Sequence, residues 1–172
     1  MRNASRACTG LLTEFFVEEM SEILDEEKKV MHDQLASKVE DKIDDANFFT
    51  GLKSKLPADF DTSQLDWAYG PVVQSGGTYD LKLTARPDNK PLHAGTIIAG
   101  LGLKYKSYNS IVGRTYMVDP NESQESNYKL LMSVHEAIIK EAKEGVAVND
   151  LYKKALNIIP VSYTHLTLPT KA

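Results

Sequence analysis

The stretch LHAGTIIAGLGLKYKSYNSIVGRTYMVDP, residues 92–120, decides the fold of this chain. β-Branched and apolar residues alternate roughly with polar ones along it, a composition that suits a pleated, half-buried surface. Gly100, Gly102 and the polar segment 107–110 are the turn formers in this stretch. It therefore predicts two or three β-strands that turn at residues 100–102 and at residues 107–110.

Amphipathic patterns on both sides of this stretch predict helices. Apolar residues recur there at three- and four-residue spacing. The predicted helices cover residues 4–27, 33–45 with Asp33 as N-cap, 126–144 with Gly145 as C-cap, and a short segment from Asn149 or Asp150 to Ile158. Turn formers predict a loop over residues 47–64, and two short strands are predicted at residues 71–73 and 79–84. These elements place the chain in the α/β (α+β) class.

Composition narrows the functions that fit the chain. It has 172 residues, 42% hydrophobic and 26% charged, with a formal charge of −4 and a pI near 5.6. This balance argues against direct nucleic-acid binding, which usually needs a strongly basic face. Cys8 is the single cysteine, so an internal disulfide is excluded and a reducing compartment is favoured. Its place in the first apolar stripe predicts burial rather than nucleophilic reactivity.

The frame YKSYNSIVGRTYMV, residues 105–118, resembles a segment of the creatinase/aminopeptidase P, or pita-bread, metalloenzymes. The resemblance implies two metal-binding aspartates at the positions that Gly100 and Ile111 occupy here. It also implies a substrate-binding histidine at the position of Leu83. Glycine and isoleucine offer no side-chain ligand to a two-metal site, so we expect no metal, no cofactor and no catalysis.

Long contiguous motifs are similar to a branch of that superfamily that lacks the metal ligands, the large subunits of FACT-type histone chaperones. They are ASRAC, FFVEEMSEILDEEKK, KVEDKIDD and QLDWAYGPVVQSGGTYDL, together with LHAGTIIAGLGLKYKSY and GRTYMVDP. The resemblance implies a nuclear, chromosome-associated protein that binds histones and reorganises nucleosomes in transcription, replication and repair. It implies a smaller FACT subunit as partner, through regions absent here. No membrane partner is expected, because no apolar run approaches the length of a membrane span, and the charge balance argues against a direct nucleic-acid partner.

The same resemblance implies a fold and a domain boundary. We expect residues 1–160 to form the amino-terminal half of a pita-bread domain, with helices over a curved, mostly antiparallel sheet whose apolar surface is exposed. Residues 161–172, VSYTHLTLPTKA, break the helical period, and we expect them to be a non-native tail of adaptor or vector origin. A short native strand is the alternative.

An acidic helix face is the candidate histone-binding surface. Seven acids precede Lys28 on the first predicted helix without an intervening base, which would attract a basic partner. The candidate residues are Glu18, Glu19, Glu22, Glu26 and Glu27. An ordinary solvated helix face is the alternative explanation for these charges.

Two other functions stay open at this point. A metal-dependent aminopeptidase or prolidase would require the ligands missing at residues 100 and 111, and a peptide-binding pseudoenzyme unrelated to chromatin would not. His135-Glu136 begins a zinc-protease HExxH motif, but Ile139 stands at its second histidine position. We predict a helix-surface or helix-flank position for His32 and His135, and a structural role for His93.

Overall fold

The computed structural model describes residues 1–52, 56–82 and 84–159. The chain divides into two compact units, Met1–Asp119 and Pro120–Ala172. The predicted tail at residues 161–172 lies outside the described residues, so its origin stays a prediction.

The first unit contains a three-stranded antiparallel sheet in the order β1-β2-β3. Its strands are β1 (Leu65–Gln74), β2 (Thr96–Tyr105) and β3 (Tyr108–Met117). The predicted turn at residues 100–102 is wrong, because β2 runs straight through both glycines and pairs Gly100 with Gly113. The second turn lies at Lys106 and Ser107, where Lys106 adopts φ 55°. A mostly antiparallel sheet is confirmed.

Strand β1 is irregular. Its pairing with β2 shifts register between Trp67 and Tyr69 and again between Tyr69 and Val72. Such bulges bend a strand and increase its twist, and Pro71 is tolerated there because a bulge relaxes the demand for a paired N–H. The predicted strand at 71–73 is thus part of a longer element. The prediction of a strand at 79–84 is wrong, since its described residues form no strand.

Helical segments run along the amino-terminal half much as predicted. The helix predicted over residues 4–27 consists of α1 (Arg2–Gly10), a π-helical segment (Leu11–Phe16) and α2 (Val17–Asp25). α3 (His32–Asp41) continues as a 3₁₀ turn at Lys42–Asp44. The N-cap assigned to Asp33 is wrong, because Met31 occupies that position and its N–H donates to Gln34 Oε1 at 3.0 Å.

A short helix interrupts the region predicted as a loop. α4 (Ala46–Gly51) is capped by Asp45, whose Oδ1 accepts from the Phe48 N–H at 3.0 Å. A 3₁₀ turn at Thr62–Gln64 is capped by Asp61 in the same way. The sequence placed Asp45 at the end of the preceding helix and Asp61 in a loop, although each one caps the start of a helical segment.

The core lies between the helices and one face of the sheet. Alternate residues of β2 point into it, and α1, the π-helical segment and α3 cover them. The fully buried side chains of this layer include Leu11, Leu12, Phe16, Leu35, Ile97, Leu101 and Leu103. Cys8 lies in the same layer, so its predicted burial is confirmed.

The second unit is a pair of helices in its described part. α5 (Glu122–Glu141) begins at an Asn121 N-cap, and α6 (Val148–Ile158) follows a short connection. Gly145 lies in that connection with φ 85°, so its prediction as the C-cap glycine is wrong; Ala142 holds the C-cap position. Within the described ranges, no helix combines the length and hydropathy that a membrane span needs.

Candidate functional site

The face of the sheet opposite the core carries a groove of about 230 Å³. Side chains on this face alternate with those that enter the core. The groove is mostly apolar; the residues that line it on the sheet include Tyr69, Val72, Gln74, Ile98, Gly100, Ile111 and Gly113. Leu81 and Ala85, from the connection between β1 and β2, form its wall.

Gly100 and Ile111, the two positions at which the resemblance implies metal-binding aspartates, both line this groove. Gly100 pairs with Gly113, and Gly102 pairs with Ile111, so residues 100 and 111 lie on neighbouring strands and on the same face. Ile111 is 65% exposed, and its Cγ1 would lie 2.8 Å from a Cβ added to Gly102. The apolar side chain of Ile111 therefore lies in the groove at a position where the resemblance implies a metal-binding aspartate.

The residues of the groove do not fit a metal ion. Gly100 and Ile111 carry no donor atom, and the groove's single described carboxylate is Asp80. The described part of the chain contains no cluster of three His, Cys, Asp or Glu side chains that could hold a cation. No step of metal chemistry can be derived from this donor set.

A pair of hydrogen bonds fastens the wall to the sheet. Gln74 Nε2 donates to the Asp80 carbonyl at 2.9 Å, and its Oε1 accepts from the Asp80 N–H at 2.8 Å. The Tyr79 hydroxyl donates to the Thr96 carbonyl at 2.8 Å. The amide of Gln74 is therefore fully engaged within the protein, although it lines the groove.

A buried hydrogen-bond network centred on His32 joins α3 to the connection that carries this wall. His32 Nδ1 is 2.6 Å from Asp88 Oδ1, and Nε2 is 2.7 Å from Ser75 Oγ. His32 is the first residue of α3 and is 1% exposed, so the predicted helix-flank position is confirmed and the helix-surface alternative is wrong. Partial burial alone would raise the pKa of Asp88, but hydrogen bonds from His32 and the Lys90 N–H outweigh it and hold that pKa below its ordinary value.

The other predicted histidines take different positions. His93 is exposed on its side-chain end, and its backbone N–H donates to Ser75 Oγ at 2.9 Å. His135 is exposed on α5, as predicted. Leu83, the position of the expected substrate histidine, lies outside the described residues, so that part of the prediction is untested.

Three of the five candidate histone-binding glutamates already pair with lysines. Lys28 Nζ lies 2.6 Å from Glu22 and 2.7 Å from Glu26, and Glu19 pairs with Lys38. These contacts lower the pKa of Glu22 and raise that of Lys28. The remaining two, Glu18 and Glu27, are exposed and make no ion pair within the described residues.

The thiol of Cys8 lies between two strands of the sheet. It donates to the Ser110 carbonyl and accepts from the Leu103 N–H, each at 3.2 Å. Burial raises the pKa of this thiol, and the two hydrogen bonds offset that effect only in part. A buried thiol with a raised pKa is a weak nucleophile, so this residue supports the sheet rather than any chemistry.

The architecture just described matches a known family over nearly the whole chain. The model for metallopeptidase family M24 matches residues 1–167. The chain belongs to this family. Its M24 fold retains the helical layer and the antiparallel sheet, which confirms the predicted pita-bread class.

Comparison with individual proteins shows which members of the M24 fold this chain is similar to. The chain is 60% identical over 159 residues to the FACT complex subunit spt16 of Emericella nidulans, covering 92% of this chain and 16% of that protein. It superposes with a TM-score of 0.86 and 32% identity on the N-terminal domain of FACT complex subunit SPT16 from Eremothecium gossypii, covering 97% of this chain and 39% of that one. A prolidase from Thermococcus sibiricus, at 22% identity over 91% of this chain and 39% of that one, shares the fold with a TM-score of 0.57.

Proposed function

We propose that this chain is a catalytically inactive, aminopeptidase-like module of a FACT-type histone chaperone. In this proposal it binds histones in the nucleus and contributes to nucleosome reorganisation in transcription, replication and repair, with the smaller FACT subunit as a partner of the longer protein. The observation that carries the proposal is the 60% identity to a FACT complex subunit over 92% of the chain. The chain spans 16% of that relative, so the activity belongs to the longer protein.

The chemistry of the groove supports binding rather than hydrolysis. Peptide-bond hydrolysis by a two-metal site needs cations that polarise the carbonyl and activate a water. Gly100 and Ile111 supply neither the charge nor the oxygen atoms to hold such cations. Asp80 alone would leave a cation mostly hydrated and weakly held.

The acidic residues of α2, with Glu26 and Glu27 just past its end at Asp25, support a basic partner. Glu18 and Glu27 are exposed, and their carboxylates are available to lysine and arginine side chains of histones. The ion pairs of Glu22 and Glu26 with Lys28 are solvent-exposed, and exposed pairs are weak enough for a partner to replace. We propose that all five glutamates contribute, with Glu18 and Glu27 engaged first.

The experiment compares two variants of equal charge. In the first, Glu18, Glu19, Glu22, Glu26 and Glu27 become glutamine. In the second, five glutamates of the second unit change in the same way: Glu122, Glu125, Glu136, Glu141 and Glu144. Each variant has a formal charge of −4 + 5 = +1. We expect the first to bind purified core histones at least tenfold more weakly than the wild-type chain and the second to change affinity by less than threefold.

A peptide-cleavage assay with added manganese or cobalt accompanies the binding measurement. The proposal expects no metal-dependent cleavage, because the groove offers a single carboxylate. Cleavage would favour the aminopeptidase or prolidase alternative. Absence of histone binding at low salt, together with absence of cleavage, would leave a peptide-binding pseudoenzyme unrelated to chromatin.

A further inference from the structure

His32 joins three segments that are far apart in the sequence. It lies at the start of α3, whereas Ser75 follows the end of β1 and Asp88 lies 56 residues further along the chain than His32. Ser75 is 4% exposed, and Asp88 is partly exposed. The network therefore ties α3 to both ends of the connection that runs over residues 75–93.

The hydrogen bonds of this network form a continuous chain. An ionised carboxylate can only accept, so His32 Nδ1 donates to Asp88. In a neutral imidazole Nε2 then accepts from the Ser75 hydroxyl, whose oxygen also accepts from the His93 N–H. Each side-chain polar atom of His32, Ser75 and Asp88 has a partner, which is the condition under which a buried polar network specifies one arrangement.

Ser75, His32 and Asp88 are hydrogen-bonded to one another in the same succession as the Ser-His-Asp triad of hydrolases. Their environment, however, does not suit a nucleophile. Ser75 is buried, and its oxygen is already shared between His32 and the His93 N–H. A nucleophile must reach a substrate carbonyl from solvent. The network is therefore a positioning device.

Backbone hydrogen bonds reinforce the same junction. The His32 N–H donates to the Lys90 carbonyl at 2.9 Å, and the Asp33 N–H donates to the Asp88 carbonyl at 3.0 Å. The Leu92 N–H donates to the Val30 carbonyl at 2.8 Å. The N-terminus of α3 and the far end of the connection thus share both side-chain and main-chain bonds.

We propose that His32 is a latch through which α3 holds the groove wall in place, so that the wall and the first turn of α3 open together. The wall residues Leu81 and Ala85 lie on the connection that this latch closes. The near end of the connection is held separately by Gln74. Loss of the latch should therefore free the connection locally while the sheet remains folded.

Amide hydrogen exchange provides a sharp test on the full 172-residue chain. The Asp33 and Leu92 N–H groups donate across the junction, and the Ala85 N–H donates to the Lys82 carbonyl within the wall. Exchange of these three amides therefore reports opening of the junction and of the wall. We expect His32→Asn, which keeps a donor for Asp88 but cannot reach Ser75, to accelerate the exchange of all three about tenfold or more.

A matched variant separates the latch from general stability. Val39→Ala removes a side chain that is 1% exposed on the same helix and makes no hydrogen bond to the connection. Exchange of the same amides in Val39→Ala should follow global unfolding, read from Trp67 fluorescence, whereas His32→Asn should accelerate exchange under conditions where Trp67 stays native. Equal acceleration in both variants, or no acceleration in His32→Asn, would overturn the latch.

A milder variant covers the case in which His32→Asn does not fold. Asp88→Asn keeps the shape of a side chain that is 43% exposed and removes its charge. It should accelerate exchange of the same three amides a few-fold. Unchanged exchange in a folded Asp88→Asn chain counts against the proposal.

Discussion

Gly102 lies where the three strands approach one another closely, and replacing it with alanine should destabilise the sheet. A Cβ at this position would lie 2.8 Å from Ile111 Cγ1, 3.0 Å from Tyr69 Cβ and 3.2 Å from the Ser110 carbonyl oxygen. The exposed Ile111 side chain can rotate away at little cost. Tyr69 Cβ and the Ser110 carbonyl are fixed to the backbone, so the strands themselves would have to separate.

Overpacking of this kind costs about 1–3 kcal/mol, and the lower chain entropy of alanine returns about 0.5–1 kcal/mol. We therefore expect Gly102→Ala to lose about 1–2 kcal/mol, which lowers the urea midpoint by about 0.5–1 M for an m-value near 2 kcal/mol/M. The assay is urea unfolding followed by Trp67, the single tryptophan, which pairs with Leu103 beside the substitution.

Gly113→Ala is the matched control for this experiment. Gly113 lies on the same face, and the nearest atom to an added Cβ is the Ala99 carbonyl oxygen at 3.8 Å, an ordinary contact. This variant should be neutral or slightly stabilising. A Gly102→Ala chain as stable as Gly113→Ala would refute the explanation of this glycine by close approach.

Three further predictions concern single side chains. The pKa of Asp88 is held low, so its ionised form stabilises the fold above pH about 4. This contribution is lost as the pH falls through the lowered pKa. The urea midpoint of Asp88→Asn should therefore fall less between pH 6 and pH 3 than that of the wild type. Cys8 should react with an aromatic disulfide reagent at pH 8 only as fast as the sheet opens, and urea should restore the rate of an exposed thiol. Lys28→Gln should strengthen histone binding about two- to fivefold, measured by fluorescence titration, because it releases Glu22 and Glu26 from their ion pairs. Unchanged affinity would exclude these two carboxylates from the histone-binding surface.

Local patterns were sufficient to predict most of the helices, but they predicted the strands only in part, because the turn at residues 100–102 and the strand at residues 79–84 were wrong. The apolar stripe of residues 4–27 has one period over its whole length, so its continuous helix followed from the sequence. The glycines at 100 and 102 misled the prediction because glycine serves turns and close approaches equally well. Only the neighbouring strands show that the second role applies, since the crowding at Gly102 comes from Tyr69 and Ile111.

The candidate site was predictable in part. The positions of Gly100 and Ile111 followed from the motif around them, and the structure places both in the groove. The network of His32 was missed because its side-chain partners lie 43 and 56 residues away. A polar residue at the start of an amphipathic helix gives no local sign of burial when its partners come from a distant connection.

The salt dependence of histone binding tests the central claim that this M24 fold binds a basic partner through carboxylates rather than cleaving a peptide. The dissociation constant for core histones would be measured from low to high sodium chloride for the wild-type chain and for the quintuple variant. In that variant glutamine replaces Glu18, Glu19, Glu22, Glu26 and Glu27. We predict that wild-type binding weakens steeply with salt and that the variant binds weakly with a shallow slope, because screening removes only interactions between charges. Tight binding with the same slope in both proteins would contradict the account.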